Sequence, residues 1–329
     1  MGKKDVVQKI FWEDNERFAD LFNVVLGKEK IVLKPEDLTK EETTILEVVK
    51  KENNKTFIEK YRDVIKKATT DMTCILIGIE NQSEANYTMP LRVMLWDALS
   101  YQEQIRELER IHRVNGDLSS GAEYLSGIKK KDKLKPVCTI VLYYDEKEWD
   151  SARSLYEMLD WNGIPEHMKE WITDYPMILV DVFRFPEWEK FQSDLREVFG
   201  FIQSSKDKNK MKFFLENNAE RFSSMADDAC NLIEEVTGTK KIRQFRTEKR
   251  EGKQNMCKAI DDMMKENWDA GYDEGQKNMC KAMDDMLKEK WDAGYDEGRK
   301  QEMINTERER QRAAELEREI QLLRAQPSA

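Results

Sequence analysis

The run Thr73-Cys-Ile-Leu-Ile-Gly-Ile-Glu80-Asn81-Gln82 constrains this chain more than any other stretch. Ile75, Leu76, Ile77 and Ile79 read as a strand buried on both faces, and such a strand should end in a turn signal rather than in Glu-Asn-Gln. Glu80 and Gln82, two residues apart, project from the same face if the strand continues that far. A carboxylate there is costly unless something pairs with it. The nearest upstream strand candidate is Tyr61-Arg62-Asp63-Val64-Ile65, separated from the apolar run by Lys66 to Met72, with a turn at Thr69-Thr70-Asp71. As a hairpin or as neighbouring strands, the two segments bring Asp63 and Glu80 together. Two carboxylates held close repel unless a cation sits between them, and the economical partner is a divalent metal.

The rest of the chain narrows the chemistry. Only His112 and His167 are present, which leaves no histidine-rich metal cage and few Ser-His or Cys-His pairs. Cys74, Cys138, Cys230, Cys257 and Cys280 show no CxxC spacing, and no secretory segment follows Met1-Gly-Lys-Lys; reduced thiols in a cytoplasm, without a zinc site, are expected. No Gly-rich phosphate loop is present, and no apolar run approaches a membrane span. A formal net charge of −10 argues against holding nucleic acid by bulk attraction. Chemistry must rest on carboxylates, amides, lysines and metal.

A length of 329 residues fits about two domains. Phe18, Leu21, Phe22 and Val25 share one face of a helix over residues 14–26, capped by Asp14 or Asn15 and stopped by Gly27, with Asp20 on the opposite, solvated face. Leu33 to Leu38 reads as a loop, residues 40–51 as a short amphipathic piece, and Phe57 to Ala68 as the strand bearing Asp63. Met89-Pro90 opens a helix that ends at Asn115-Gly116 and carries Arg92 on its first turn. A cation is unfavourable at that helix end, which suits an anionic partner such as phosphate or Glu80, although a plain surface role also fits. Val137 to Tyr144 and Met177 to Phe183 are further strands, with a helix from about Trp149 to Leu159 between them. Strands and helices interleaved in this way mean an α/β core. Pro186 to Gly238 is helical. Two basic runs, Lys129 to Lys135 and Lys240 to Arg250, are either solvated charge or phosphate contacts.

Charged residues make up 36% of the chain, which points to long solvated helices. Toward the C-terminus, Asn255 to Gly275 recurs as Asn278 to Gly298, with 18 of 21 positions identical at a period of 23 residues. Methionines with Trp268 or Trp291 give each copy an apolar stripe that needs a partner, so self-association through these helices is expected. The division is a core over 1–186, a helical region over 187–250 and a helical repeat tail over 251–329.

At Tyr61-Arg62-Asp63, Ile79-Glu80-Asn81-Gln82-Ser83, Tyr87-Thr88-Met89-Pro90-Leu91-Arg92 and Pro136 to Tyr144, the sequence resembles the recombination-promoting nucleases. These are transposase-like bacterial proteins of the PD-(D/E)XK nuclease superfamily. The likeness runs from about Phe11 to Gly238. It implies a restriction-endonuclease-like mixed sheet flanked by helices, and a DNA endonuclease linked to recombination or mobile elements. It further implies a metal held by Asp63, Glu80 and the main-chain carbonyl of Asn81, with Asp63, Glu80 and Gln82 as the catalytic set. Oxygen ligands without histidine favour Mg2+, with Mn2+ or Ca2+ as substitutes. Arg62 stands where the superfamily signature has proline. Gln82 stands where lysine is usual, and an amide can hydrogen-bond but supplies no positive charge, so Arg92 is the expected compensating cation. The alternative from a different class is a non-catalytic DNA-binding or helical assembly protein that keeps a decayed nuclease fold.

Overall fold

The computed structural model describes residues 3–26, 33–40, 44–51, 54–61, 64–69, 74–239, 242, 253–256, 258–262 and 280–293. Helices α1 (Lys3–Trp12) and α2 (Asn15–Val25) come first. Strands β1 (Leu38–Lys40), β2 (Thr44–Lys51), β3 (Asn54–Tyr61), β4 (Val64–Thr69) and β5 (Cys74–Gln82) follow. Then come α3 (Met89–Asn115), α4 (Gly121–Ser126), β6 (Val137–Tyr143), α5 (Leu155–Met158), α6 (Glu166–Lys169) and β7 (Ile178–Asp181). The helical region holds α7 (Leu195–Ser204), α8 (Lys208–Asn217), α9 (Ala219–Phe222) and α10 (Asp227–Thr237), with β8 (Met225–Ala226) paired to β9 (Lys253–Gln254).

The main sheet has the order β1-β4-β5-β6-β7. Its first two junctions are antiparallel and its last two parallel, so the sheet is mixed and the fold is α/β. Val137-Cys-Thr-Ile-Val-Leu-Tyr143 lacks the polar alternation of a half-exposed strand and accordingly lies next to the sheet's centre, covered on both faces. One face sends Ile79, Ile140, Leu142 and Val180 into the principal core with Phe11, Trp12, Phe18, Leu21, Val198, Ile202 and Ile233 from α1, α2, α7 and α10. The other face packs Val141 and Tyr143 against Met89 and Val93 of α3, together with Trp149 and Met177. Gly200 in α7 is a position of close approach: a Cβ there would come within 2.3 Å of the Phe214 ring and 2.9 Å of Trp188.

Three long-range polar contacts lock the helical layer to itself and to the sheet. Asp14 caps α2 through the Arg17 N–H, and the buried Arg17 guanidinium then spans two helix starts, Asp194 at 2.7 Å and Asp228 at 2.6 Å. Burial works against that charge, but hydrogen bonds to Asp228 and Asp194 outweigh it and raise the Arg17 pKa. Asp20 accepts from the Gln192 and Ser193 backbone N–H groups and from the Ser193 hydroxyl, so it is a fastener and not the solvated residue its helix face suggests. Lys66 of β4 donates to the carbonyls of Glu13 and Asp14 and to Asn15 Oδ1, 2.7, 3.1 and 2.7 Å away. Its ammonium lies 4.7 Å from the Phe18 ring centroid, and burial pulls its pKa down to about 8.

Several local expectations change. Residues 40–51 contain strand β2, which forms a separate two-stranded sheet with β3. The single strand expected from Phe57 to Ala68 is therefore divided between two sheets. The helix expected from Trp149 to Leu159 shrinks to the one turn of α5. Arg153 O accepts from Met177 N, and Ser154 bridges to Pro176, so pairing holds the preceding backbone extended. In the repeat, equivalent positions of both copies enter the principal core: Ala259 with Ile260, and Ala282 with Met283. The second copy forms a helix over 281–293 whose Ala282 N–H donates to Ser205 O, while Glu289 pairs with Lys208. The partner for these described parts of the stripe is the protein's own core. No helix of the described residues is long and apolar enough to cross a membrane.

Candidate active site

Strand β5 does not stop where its apolar residues end. Glu80, Asn81 and Gln82 remain paired with Val141, Leu142 and Tyr143 of β6, and the Gln82 carbonyl accepts from the Tyr144 N–H at 2.8 Å. The polar triplet is thus held by a ladder, at the carboxyl end of parallel strands, where ligands of open α/β sheets characteristically bind. Asn81 and Gln82 are half-buried. The Glu80 backbone is described but its side chain is not, and Asp63 lies outside the described residues. Their chain neighbours are placed: Val64, which follows Asp63, is the register partner of Ile79, which precedes Glu80. Ile65 opposite Gly78 and Lys66 opposite Ile77 continue the same antiparallel ladder.

The loop from Ser83 to Thr88 returns the chain to the start of α3, and Asn86 Oδ1 fixes it by accepting from the Thr88 N–H and hydroxyl. Helix α3 has no acidic residue in its first turn, and Arg92 is half-buried there. A polar seam sets the helix on the sheet. Asp97 accepts from the Thr139 hydroxyl at 2.6 Å and from the Tyr175 hydroxyl at 2.5 Å, and the Tyr101 hydroxyl accepts from Val137 N–H. Gln104 exchanges two hydrogen bonds with the Lys135 backbone. These contacts hold the middle of α3 over the amino end of β6, and Met89 and Val93, packed on Val141 and Tyr143, hold its first turns near the edge where β5 finishes.

The same edge contains groups that sequence reasoning missed. In register, Gln82 of β5 lies beside Tyr143 of β6, which lies beside Asp181 of β7. Burial raises the Asp181 pKa, against the pull of a 2.8 Å ion pair with Arg184. Burial first, and then Asp145, Asp181 and Asp150, push the Tyr143 phenol up to about 12. The signal for Asp181 was the one used for Glu80, a carboxylate at the end of an apolar strand. Among the described residues, no cluster of three or more His, Cys, Asp or Glu could hold a metal. A cavity of about 450 Å3 lined by His112, Arg113 and Tyr124 lies at the far end of α3, about 30 Å from Arg92 at 1.5 Å per residue.

The donors that the resemblance implies, Asp63, Glu80 and the Asn81 carbonyl, are all oxygen, the chemistry that suits Mg2+, and the β4–β5 register puts the flanking residues of both acids side by side. No curated protein and no solved structure matches this chain. A family model described as "Putative transposase, YhgA-like" matches residues 4–229. That span takes in both acidic positions, the whole main sheet, helices α2 to α9 and the start of α10, and the chain belongs to this YhgA-like transposase family.

Proposed function

We propose that the chain is a metal-dependent DNA endonuclease with a restriction-endonuclease-like core, acting in the mobile-element context that its transposase-like family suggests. The observation that carries the reading is the pairing of Val64 with Ile79. One step further along an antiparallel ladder, Asp63 and Glu80 would be directly opposite each other, and opposed side chains stand about 5 Å apart. In this reading Asp63, Glu80 and the Asn81 carbonyl hold Mg2+, which when bound supplies an activated water and neutralises charge on the phosphate. Gln82 donates its amide N–H groups to the attacking oxygen or to a phosphate oxygen. Arg92 supplies the fixed positive charge that Gln82 lacks, from a helix set in place by the Asp97 seam. A mixed sheet with helices on both faces also suits that fold.

The test is plasmid nicking in Mg2+ by wild type, Glu80→Ala and Gln82→Lys, with calorimetric titration of Ca2+ into wild type and Asp63→Ala. The expected results are loss of nicking in Glu80→Ala, retained or faster nicking in Gln82→Lys, and loss of Ca2+ binding in Asp63→Ala. Equal residual nicking in all three proteins would identify a contaminant. Wild type that takes up no cation would leave the non-catalytic assembly reading in its place.

A further inference from the structure

Helix α3 does more than cover the sheet. Its 27 residues carry the chain about 40 Å at 1.5 Å per residue, and its far end is built into a rigid corner. The buried His112 ring sits between Asp117 Oδ1 and Asp132 Oδ2, each 2.8 Å away. Lys129 closes the corner, its ammonium on Asp117 and its backbone N–H on Asp132, both at 2.6 Å. Glu123 is committed to the backbone of Ser119 and Ser120, where it completes the cap of α4. Three carboxylates of this corner are therefore used internally. Lys130, Lys131 and Lys133 on the same loop are exposed and form no ion pair among the described residues, and Arg113 is exposed on the last turn of α3. The loop thus presents three exposed ammonium groups on a fixed frame, in a chain whose net charge is −10.

We propose that the Lys129–Lys135 loop is a second contact for duplex DNA, gripping phosphates about one helical turn from the strand edge. The proposal rests on the nuclease reading above. From Arg92 to His112 the helix advances about 30 Å, and the loop lies alongside the last turns of α3, with Asp132 at His112 and Lys135 at Gln104. A duplex presents the same backbone again after about 34 Å, so one DNA segment can meet both ends of α3. A fixed loop loses little entropy on binding, and lysines act on phosphate as point charges within a screening length of about 8 Å. Contacts of this kind add affinity without sequence choice and make it salt-dependent, by a slope of about 0.9 per phosphate neutralised.

The experiment uses the full chain in Ca2+ and fluorescence anisotropy on a 30-base-pair duplex and an 8-base-pair hairpin. The hairpin is about 27 Å long at 3.4 Å per step, too short to bridge both contacts. The variant is Lys130→Ala/Lys131→Ala/Lys133→Ala, whose changes are all exposed. The slope of log affinity against log salt should fall by about 2 to 3 on the long duplex, with at least a tenfold loss at 0.15 M salt. Binding of the hairpin should change less than twofold, and Ca2+ uptake should stay at the wild-type level. An unchanged slope on the long duplex overturns the proposal, as does an equal loss on both ligands. If Glu80→Ala still nicks like wild type while the slope change appears, the nuclease reading fails and the DNA surface stands.

Discussion

Replacing Arg17 by methionine keeps the aliphatic stem and removes the cation that joins α2 to the starts of α7 and α10. The guanidinium side chain is 5% exposed, donates to Asp194, Asp228 and the Phe11 carbonyl, and lies 4.2 Å over the Phe11 ring. Removing one partner from a buried ion pair costs about 3–5 kcal/mol, chiefly because the remaining charge is stranded. Asp194 and Asp228 are 23% and 29% exposed, so water recovers part of that loss and places the cost near the lower end, about 3 kcal/mol. For a cooperative unit of 150–250 residues this is a fall in Tm of about 6–12 °C. Arg17→Lys should recover only about 1 kcal/mol, since one ammonium cannot form two forked pairs. Urea denaturation and thermal melts in 0.1 and 1 M NaCl give the answer, with the deficit persisting at high salt because the pair is sheltered. A methionine variant within about 0.5 kcal/mol of wild type would show that the network only orders side chains that packing already holds.

Lys66 predicts a pH window. The unfolded chain keeps its proton up to the ordinary lysine value of 10.5 and the folded chain only to about 8, so the unfolded state binds more protons between them and stability rises with pH through that interval, by up to about 3 kcal/mol. Subtracting the urea profile of Lys66→Met between pH 8 and 10 should isolate this slope, and parallel profiles would contradict it. Hydrogen bonds to Asp117 and Asp132 raise the pKa of His112, so its contribution is complete below 6.5 and is lost as pH rises through the folded value. Tryptic cleavage at Lys130 and Lys131 should accelerate from pH 6.5 to 8.5 relative to a peptide control, and should be fast at both in His112→Gln; equal ratios would exclude the clamp. Ending the chain after Gly252 removes Met256, Ala259, Ile260, Cys280, Ala282 and Met283 from the core, at roughly 1–3 kcal/mol for each of the larger side chains. The truncated protein should melt more than 10 °C lower and bind a hydrophobic dye, whereas an unchanged Tm would mean that the repeat stabilises only itself.

The strands at 74–82, 137–143 and 178–181 were legible as short apolar runs, and the helix at 89–115 by its helical spacing between Met89-Pro90 and Asn115-Gly116. What could not be read are the places where distant chain overrides local preference. Asp20 looked solvated because residues 192 and 193, which claim it, are more than 170 positions away. Trp149 to Leu159 has the composition of a helix, but pairing with Pro176 and Met177 stretches the backbone around Ser154. The tail stripe was legible as a face in need of a partner, whereas the partner's identity depended on a groove assembled from α7, α8 and α10. The candidate site divides along the same line. Glu80 and Gln82 stood out in the sequence because carboxylate and amide interrupt an apolar run, a local contradiction. The seam that seats α3 joins Asp97, Thr139 and Tyr175 across three separate segments, and no one of these segments contains a contradiction to notice. Sequence thus points to the groups of the proposed metal site, and tertiary structure supplies the scaffold on which their neighbours sit. Asp97→Asn should therefore lower nicking by loosening Arg92 while leaving Ca2+ uptake intact, a separation that loss of a metal ligand cannot produce.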